Sequence, residues 1–432
     1  MRQREYSAER VLDLVAERRQ RLIEILGKLV RARSENTPPG GAEMQAQQTV
    51  AEILHSAGYS TTLYEPDQVP GLQHHPLFWP GRNYCGRPNL AVRRRGLGGG
   101  RSLILSGHID TVPLGSQEWT RAGFGGQVEG NRLYGRGSND MKAGIAASLL
   151  ILELLEERKI RLKGDLIFET VVDEEFGGSN GTLAARLAGY QADAAILTEP
   201  SLLRVCPAQR GGRIVHLTFR APGGVLSESG MPSGVVDALR HFLTRLPEFA
   251  ASRRARAPVH ELYAQSPDPV PVSVTKIYTG PWGFGEPMTI PEVCRVELYW
   301  QTMPGETCQQ VDAEFLAWFE HMVSEAPERF AVKPQLEWPL RWLPGSSISP
   351  THPLVSAMSD AARAALGHPP VICGIEGPCD LYVFHHFGIP AVLWGPKGGN
   401  THAADEYVEI DSLVTAAQAL FLFVQEWCGV EQ

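Results

Sequence analysis

Seven acidic or imidazole side chains stand in sequence contexts that could together hold a pair of metal ions. They are His108, Asp110, Asp140, Glu174, Glu175, Glu199 and His402. Carboxylate oxygen and imidazole nitrogen suit borderline divalent metals such as zinc, cobalt or manganese. Two such ions held roughly 3.5–4 Å apart can activate one water and polarise one carbonyl group. The residue types therefore predict a metal-dependent hydrolysis.

The first two sequence segments place possible metal ligands next to a predicted strand and a predicted helix. In residues 106–113 an apolar strand runs directly into His108 and Asp110, and the carboxyl ends of parallel strands form the ligand crevice of α/β sheets. Asp140 follows a glycine-rich turn, where it could simply cap the helix that begins there. It could also bridge two cations, and the neighbouring motifs favour the bridge.

The remaining contexts add acids and a second imidazole. Three consecutive acids, residues 173–175, follow a predicted strand. Such a cluster is costly through repulsion unless cations or protons compensate, and a solvated loop is the alternative. Glu199 ends another buried strand, and His402 follows an apolar strand and a glycine-rich loop. Together these side chains complete a donor set for two ions.

The elements that must position these residues alternate between strands and helices up to Pro207. Strands are predicted over residues 102–106, 165–172 and 194–198, and helices over 141–157 and 182–188. This rhythm predicts an α/β fold with a mostly parallel sheet covered on both faces.

A different pattern follows Pro207. Alternating strands are predicted over residues 213–220, 272–278, 295–301 and 331–338, with helices over 235–246 and 309–324. These four strands and two helices predict a compact α+β domain over 210–342, inserted between two parts of a catalytic domain, 1–209 and 343–432. The polar, proline-bearing residues 250–271 are expected to form an exposed excursion.

Composition limits the functional classes to which the protein could belong. The 432 residues carry a formal charge of -8 and include 43% hydrophobic residues, so there is no basic footprint for binding nucleic acid. Neither a secretory signal nor a membrane span is evident. The seven cysteines are scattered without a C-x-x-C pair, which favours reduced thiols. We expect a soluble cytoplasmic protein that acts on a small molecule, without nucleic-acid or membrane partners.

The motifs resemble those of the dinuclear zinc metallopeptidases that include acetylornithine deacetylase, succinyl-diaminopimelate desuccinylase, aminoacylase-1 and carboxypeptidase G. The likeness runs from the turn at residues 36–40 to the tail at residues 406–408. It implies a zinc aminopeptidase-like catalytic domain and an inserted lid domain through which the chain forms a homodimer.

The resemblance also implies a role for each candidate residue. His108 and Glu199 would hold one metal ion, Glu175 and His402 the other, and Asp140 would bridge both.

Two further roles follow from the same resemblance. Asp110 would orient the His108 ring. Glu174 would be the general base that takes a proton from the metal-bridging water and delivers it to the leaving nitrogen. Gly377 and Asp380 belong to a glycine-rich loop that ends in Asp near the substrate.

Three lid positions depart from the family pattern. Glu228 begins the run that usually carries a His, Met288 stands where an Asn is common, and Gln301 stands where an Arg usually grips the substrate carboxylate. Losing the Arg removes the bidentate partner of a carboxylate. Losing the His removes one donor to the oxyanion, a change that typically costs about 2.7–4 kcal/mol. Arg210, near the entry to the lid, could serve instead or could have only a packing role.

Three functions stay open from the sequence. The leading one is hydrolysis of a C–N bond in an N-acyl amino acid or related small amide. The second directs the same activated water at a non-peptide C–N bond, for example by hydrolytic deamination of an aromatic amine. The third is a non-catalytic metal-binding homologue, against which stands the presence of Glu174 and every candidate ligand.

Overall fold

The structure is a computed structural model and describes residues 8–223, 234–280 and 289–431. The chain divides into two compact units. The first runs to Ala208 and also contains Ser347–Ile375 and the chain from Cys379 onward, whereas the second consists of Gln209–Ser346 and Glu376–Pro378. Among the described residues, no helix is long and apolar enough to cross a membrane.

The helices and strands are numbered in chain order over the described ranges. The helices are α1 (Ala8–Ala16), α2 (Arg19–Arg31), α3 (Met44–Ser56), α4 (Lys142–Glu157), α5 (Asn180–Leu187), α6 (Val235–Arg256), α7 (Cys308–Glu325), α8 (Pro353–Leu366), α9 (Leu381–His386) and α10 (Ile410–Cys428). The strands are β1 (Asn36–Thr37), β2 (Gly40–Gly41), β3 (Thr62–Tyr64), β4 (Asn89–Arg94), β5 (Leu103–His108), β6 (Gln127–Glu129), β7 (Arg132–Tyr134), β8 (Leu166–Val171), β9 (Ala195–Leu197), β10 (Val205–Gln209), β11 (Gly211–Arg220), β12 (Val272–Tyr278), β13 (Val293–Thr302), β14 (Gln335–Glu337), β15 (Ser346–Ser347), β16 (Ile372–Ile375), β17 (Ala391–Leu393), β18 (Gly398–Gly399) and β19 (Tyr407–Glu409).

The central sheet of the first unit has parallel strands in its middle and antiparallel strands towards its edges. Its order includes β10-β17-β9-β5-β8-β4-β3. The pairs β17 with β9, β9 with β5, and β5 with β8 are parallel, whereas β4 runs antiparallel to β8. The prediction of an α/β fold with a mostly parallel central sheet is confirmed, and the order brings the ends of β9, β5 and β8 side by side.

Helix α4 anchors the sheet to the surrounding helices. Its Ala- and Leu-rich sequence is buried from Lys142 to Leu155, as expected for a helix that is apolar all round. It packs on β5 and on helices α2 and α10. The N-terminus of α4, directly after Asp140, is therefore held next to the end of β5.

The second unit is a four-stranded antiparallel sheet in the order β12-β13-β11-β14, together with α6 and α7. Strand alternation puts apolar side chains on the face that packs against the helices. The cluster includes Val215, Leu217, Phe219, Phe242, Phe249, Val296, Leu298, Trp300 and Phe315. The opposite face carries the polar residues of the same strands.

The expectation of an exposed excursion over residues 250–271 is wrong in its first part, because α6 continues to Arg256. The helix runs through Pro247, a residue that normally breaks helices. Arg253 is buried and its guanidinium bonds Glu306 at 2.7 Å and Glu314 at 2.8 Å. These tertiary ion pairs hold the last turns of α6 in place.

Candidate metal centre and active site

The candidate ligands meet at one edge of the central sheet because they follow parallel neighbouring strands. His108 is the last residue of β5, Glu174 and Glu175 follow β8, and Glu199 follows β9. The carboxyl ends of these strands form a crevice, the usual ligand site of open α/β sheets. Asp140 enters the same crevice just before α4.

Two groups of possible ligands share Asp140. The first consists of His108, Asp140 and Glu199, and the second of Asp140, Glu175 and His402. His108 Nε2 lies 3.1 Å from Asp140 Oδ1 and 3.6 Å from Glu199 Oε1. His402 Nε2 lies 2.8 Å from Glu175 Oε2 and 3.4 Å from Asp140 Oδ2. Since the two oxygens of Asp140 face different imidazoles, this carboxylate is placed to bridge two cations.

The electrostatics of the crevice fit bound cations. Burial raises the pKa of Glu199 well above its ordinary value, and repulsion from Asp140 and Glu175 adds to this against the attraction of His108. Burial opposes a charge on His402, but hydrogen bonds to Asp140 and Glu175 prevail and raise its pKa to about 11. The same negative field that holds a proton on the imidazole stabilises a metal cation bound to it. Each group offers one imidazole and two carboxylates, a donor set that fits divalent metal ions.

Glu174 lies beside the two groups of candidate ligands rather than among them. Its Oε2 is 3.9 Å from His108 Nε2. Burial raises the pKa of Glu174 well above the ordinary range; His108 opposes the shift, and the charges of Asp380 and Glu199 reinforce it. A carboxylate with a raised pKa next to a candidate metal site is suited to exchange protons near neutral pH.

Asp110 braces the turn that carries the two glutamates. Its Oδ2 accepts hydrogen bonds from the backbone N–H of Glu174 at 3.0 Å and of Glu175 at 3.2 Å. The Nδ1 atom of His108 lies 3.0 Å from the main-chain oxygen of Asp110, compared with 3.7 Å from its carboxylate. The main chain at Asp110 thus orients the imidazole of His108, while its side chain fixes the turn that carries Glu174 and Glu175.

Glu406 is a functional candidate to which sequence reasoning assigned no role. The carboxylate is fully buried and accepts hydrogen bonds from the backbone N–H of Asn139 at 2.9 Å and of Asp140 at 3.1 Å. Arg136 donates to the same carboxylate at 2.6 Å. The sequence signal was only an acid four residues after His402, directly after a second acid, Asp405. Glu406 holds the Asp140 turn in the same way that Asp110 holds the glutamate turn.

The predicted substrate residues fall in different parts of the molecule. Asp380 is 6% exposed, accepts a hydrogen bond from Thr182 Oγ1 at 2.5 Å, and contributes to the raised pKa of Glu174. Its charge therefore acts on the metal crevice of the first unit. Gly377, Arg210 and Gln301 belong to the second unit.

In the second unit, Arg210 Nη1 donates to Gln301 Oε1 at 2.6 Å and Nη2 donates to Ser266 Oγ at 2.6 Å. The guanidinium also lies 4.9 Å from the centroid of the Tyr263 ring. Glu228 and Met288 lie outside the described residues.

Comparison with known proteins agrees with this arrangement. Residues 104–426, most of the chain, match peptidase family M20/M25/M40. The chain is 25% identical over 451 residues to N-formyl-4-amino-5-aminomethyl-2-methylpyrimidine deformylase of Bacillus subtilis (strain 168), with 96% of each protein covered. It is 27% identical over 419 residues to succinyl-diaminopimelate desuccinylase 2 of Ruegeria sp. (strain TM1040), with 95% of each covered.

Solved structures share the fold at low sequence identity. A dipeptidase from Saccharomyces cerevisiae gives a TM-score of 0.75 at 13% identity, with 99% of each chain covered. A dinuclear metal-binding peptidase from Bacillus subtilis gives 0.60 at 16% identity, with 96% of this chain and 99% of that chain covered. The family expected from the motifs is confirmed. The chain belongs to peptidase family M20/M25/M40 and is a metal-dependent amide hydrolase.

Proposed function

We propose that the protein removes the acyl group from an N-acyl amino acid or a related small amide by hydrolysing its C–N bond. One observation carries the proposal: two groups of ligand side chains share Asp140, and Glu174 lies beside them. A bridged pair of sites next to a basic carboxylate is suited to attack of water on a carbonyl carbon. The products are a carboxylic acid and a free amine.

The proposed cofactor is a pair of divalent ions, with zinc as the first choice and cobalt or manganese as alternatives. His108 and Glu199 would hold one ion, Glu175 and His402 the other, and Asp140 both. When bound, such a pair lowers the pKa of a water and polarises the amide carbonyl.

Glu174 is the proposed general base. It accepts one proton from the attacking water, whose oxygen bonds to the acyl carbon, and then delivers that proton to the nitrogen as the C–N bond breaks. The raised pKa of Glu174 supports both transfers, because a carboxylate that is too acidic would accept a proton poorly. Asp110 and Glu406 hold Glu174 and Asp140 in position, because each accepts a hydrogen bond from the backbone N–H of one of them.

The amine part of the substrate could take two forms, and each has its own support. Arg210 is 3% exposed and donates hydrogen bonds to two neutral side chains, those of Gln301 and Ser266. A guanidinium in such surroundings is suited to a substrate carboxylate, which favours an N-acyl amino acid.

A substrate without an α-carboxylate is the second candidate. Gln301 replaces the Arg that usually grips this group, and two relatives are named as deformylases of a formylated aminomethylpyrimidine. That name describes an amide whose amine part carries an aromatic pyrimidine ring.

A substrate panel with zinc-loaded protein tests the proposal. It should contain N-formyl-4-amino-5-aminomethyl-2-methylpyrimidine, N-succinyl-diaminopimelate, and an N-acetyl amino acid together with its α-amide. We expect amine release from at least one compound, abolished by a chelator. The first form is supported if the rate falls tenfold or more when the α-carboxylate is replaced by an amide, and if Arg210→Met causes a similar fall with the carboxylate substrate. Equal rates with and without the α-carboxylate support the second form. Zinc-loaded protein that hydrolyses none of the amides would contradict the proposal.

We also propose that the protein is a cytoplasmic homodimer joined through the second unit. For the residues described, β12 is an edge strand of its sheet, and Ile277 and Tyr278 are 49% and 57% exposed. An exposed edge strand of this length is a template for pairing with another chain. Light scattering should give twice the mass of one chain, and Ile277→Lys should lower it; a monomeric wild type would contradict the dimer. The scattered cysteines, with no C-x-x-C pair in the sequence, are in keeping with a reducing compartment.

A further inference from the structure

Asn36 links two buried carboxylates beneath the turn that carries Glu174 and Glu175. It lies in the short strand β1 and is fully buried. Its Nδ2 atom donates to Asp110 Oδ2 at 2.9 Å and to Asp173 Oδ1 at 3.2 Å. One side-chain amide therefore joins the acid that follows β5 to the acid that follows β8.

Each of these carboxylates controls the backbone of the turn. Asp110 accepts the N–H groups of Glu174 and Glu175. Asp173 precedes them with a φ of 66°, which is unusual for a residue other than glycine. At Gly178 a Cβ atom would meet the main-chain oxygen of Asp173 at 1.4 Å. The turn is closely packed, so a rotation of Asp173 would move Glu174 and Glu175.

The segment between β3 and β4 holds Asp173 from the other side. Tyr84 donates its hydroxyl to Asp173 Oδ2 at 2.7 Å. Arg82 Nε lies 3.5 Å from the same carboxylate, while Arg82 Nη2 donates to the main-chain oxygen of Phe176 at 3.2 Å. Arg82 also stacks on Trp79, with its Cζ 4.1 Å from the ring centroid. The Asp173 carboxylate is thus fixed by hydrogen bonds from Tyr84 and Asn36 and by the nearby charge of Arg82.

We propose that Asn36 is a positioning residue for the active site. Its amide binds Asp110 and Asp173 at the same time, and so sets the distance between the end of β5, with His108, and the turn with Glu174 and Glu175. This role rests on the proposed metal site. It predicts that loss of the amide donor loosens metal binding and slows the chemical step, without a matching effect on substrate affinity.

The test compares two isosteric amide-to-acid variants, Asn36→Asp and Gln47→Glu. Gln47 is an equally buried amide, and it donates to the main-chain oxygens of Pro88 and Thr170 rather than to the two acids. Zinc affinity is measured by competition with a chromogenic chelator, kcat and KM on the best panel substrate, and the unfolding temperature by circular dichroism.

In Asn36→Asp we expect zinc affinity and kcat to fall about 10- to 100-fold, the range typical of groups that orient metal ligands, while KM changes less than about threefold. In Gln47→Glu we expect a comparable fall in the unfolding temperature, whereas the zinc affinity and kcat of the folded protein should stay within about threefold of wild type. Equal losses in both variants, or wild-type zinc affinity and kcat in folded Asn36→Asp, would overturn the inference.

If Asn36→Asp does not fold, a second pair of less disruptive variants tests the positioning role. Tyr84→Phe removes the hydroxyl bound to Asp173, and Tyr59→Phe removes a buried hydroxyl that donates instead to the main-chain oxygen of Leu152 at 3.1 Å. We expect Tyr84→Phe to lower zinc affinity and kcat by about threefold or more relative to Tyr59→Phe; equal values would overturn the inference. A wild-type chain that binds no zinc would overturn the proposed function as well, whereas wild-type behaviour of the variants would overturn the positioning role alone.

Discussion

The two sheets of the protein carry their charged side chains in opposite ways. In the first unit, acids gather at the carboxyl ends of β5, β8 and β9, where they are buried or partly buried. In the second unit, basic and acidic side chains alternate along the open face from β12 to β14. The residues in register are Lys276, Glu297, His216 and Glu337.

The pKa values of the acids follow this difference. Burial and repulsion raise the pKa of Glu199 in the first unit. Burial also opposes the charge of Glu297, but hydrogen bonds from His216 and Lys276 outweigh it and lower the pKa of Glu297. The second sheet pairs its acids with its own basic side chains, whereas the crevice of the first unit gathers more acid than its imidazoles can balance. Of the two described sheets, the first is therefore the one at which a metal site is expected.

Removal of metal should have the largest effect. Treatment with a chelator followed by buffer exchange should lower kcat about 10³-fold, equivalent to ~4 kcal/mol of lost carbonyl polarisation and water activation. Added zinc, cobalt or manganese should restore activity. Glu297→Gln serves as a control and should respond to chelator and metal as the wild type does. Full activity of the chelated, metal-free protein would contradict a metal-dependent site in the crevice of the first unit.

Glu174→Gln should come next. The amide keeps the shape of the side chain but cannot accept the proton of the attacking water, so kcat should fall about 10²–10⁴-fold. Metal content, measured by elemental analysis, should stay at the wild-type value because Glu174 lies beside the ligand groups. A Glu174→Gln protein with wild-type kcat would show that another group takes the proton.

Glu406→Gln should sharpen the comparison between buried and open-face acids. The carboxylate accepts two backbone N–H groups beside Asp140, and groups that orient ligands typically contribute 10- to 100-fold in metal affinity. We expect a loss of about that size in zinc titrations. The matched variant Glu337→Gln, on the open face of the second sheet, should titrate like wild type. Equal zinc affinities for the two variants would contradict the bracing role of Glu406.

The smallest effect is expected for the Glu297 network. Its lowered pKa means that the ionised form is favoured in the folded protein, so its stabilising contribution is present above the unfolded pKa and is lost as pH falls through the folded value. Because the pairs with Lys276 and His216 are partly exposed, Glu297→Gln should lower the free energy of unfolding by less than about 1 kcal/mol at pH 7. Urea titrations should show this difference shrinking below about pH 4. A difference that grows on acidification would be the wrong sign.

The convergence of the candidate ligands at the strand ends could be predicted from sequence, because the apolar runs and the positions after them gave separate signals. His108 and Glu199 each follow a short apolar run, and the ends of parallel strands meet at one edge of a sheet. The role of Glu406 could not be found in this way. It acts on Asn139, 267 residues away in the chain, and a polar residue in a turn looks the same whether it is solvated or buried.

Helix α6 shows a second limit of sequence reasoning. Pro247 and the polar residues after it favour an early end of the helix, but Arg253 is fixed by Glu306 and Glu314 from other elements. Tertiary ion pairs of this kind are invisible to local patterns. The contact between Arg210 and Gln301 likewise depends on strand register, so the departure from the family pattern at Gln301 could be seen in the sequence while its partner could not.

The most direct test of the central claim is the number of zinc ions bound by purified protein, measured by elemental analysis after equilibration and gel filtration. Two sites that share one carboxylate predict two ions per wild-type chain. In Asp140→Asn both sites lose the charge that they share, so stoichiometric binding at both should be lost together. A wild-type chain without bound zinc, or an Asp140→Asn chain that still holds two ions, would contradict the account.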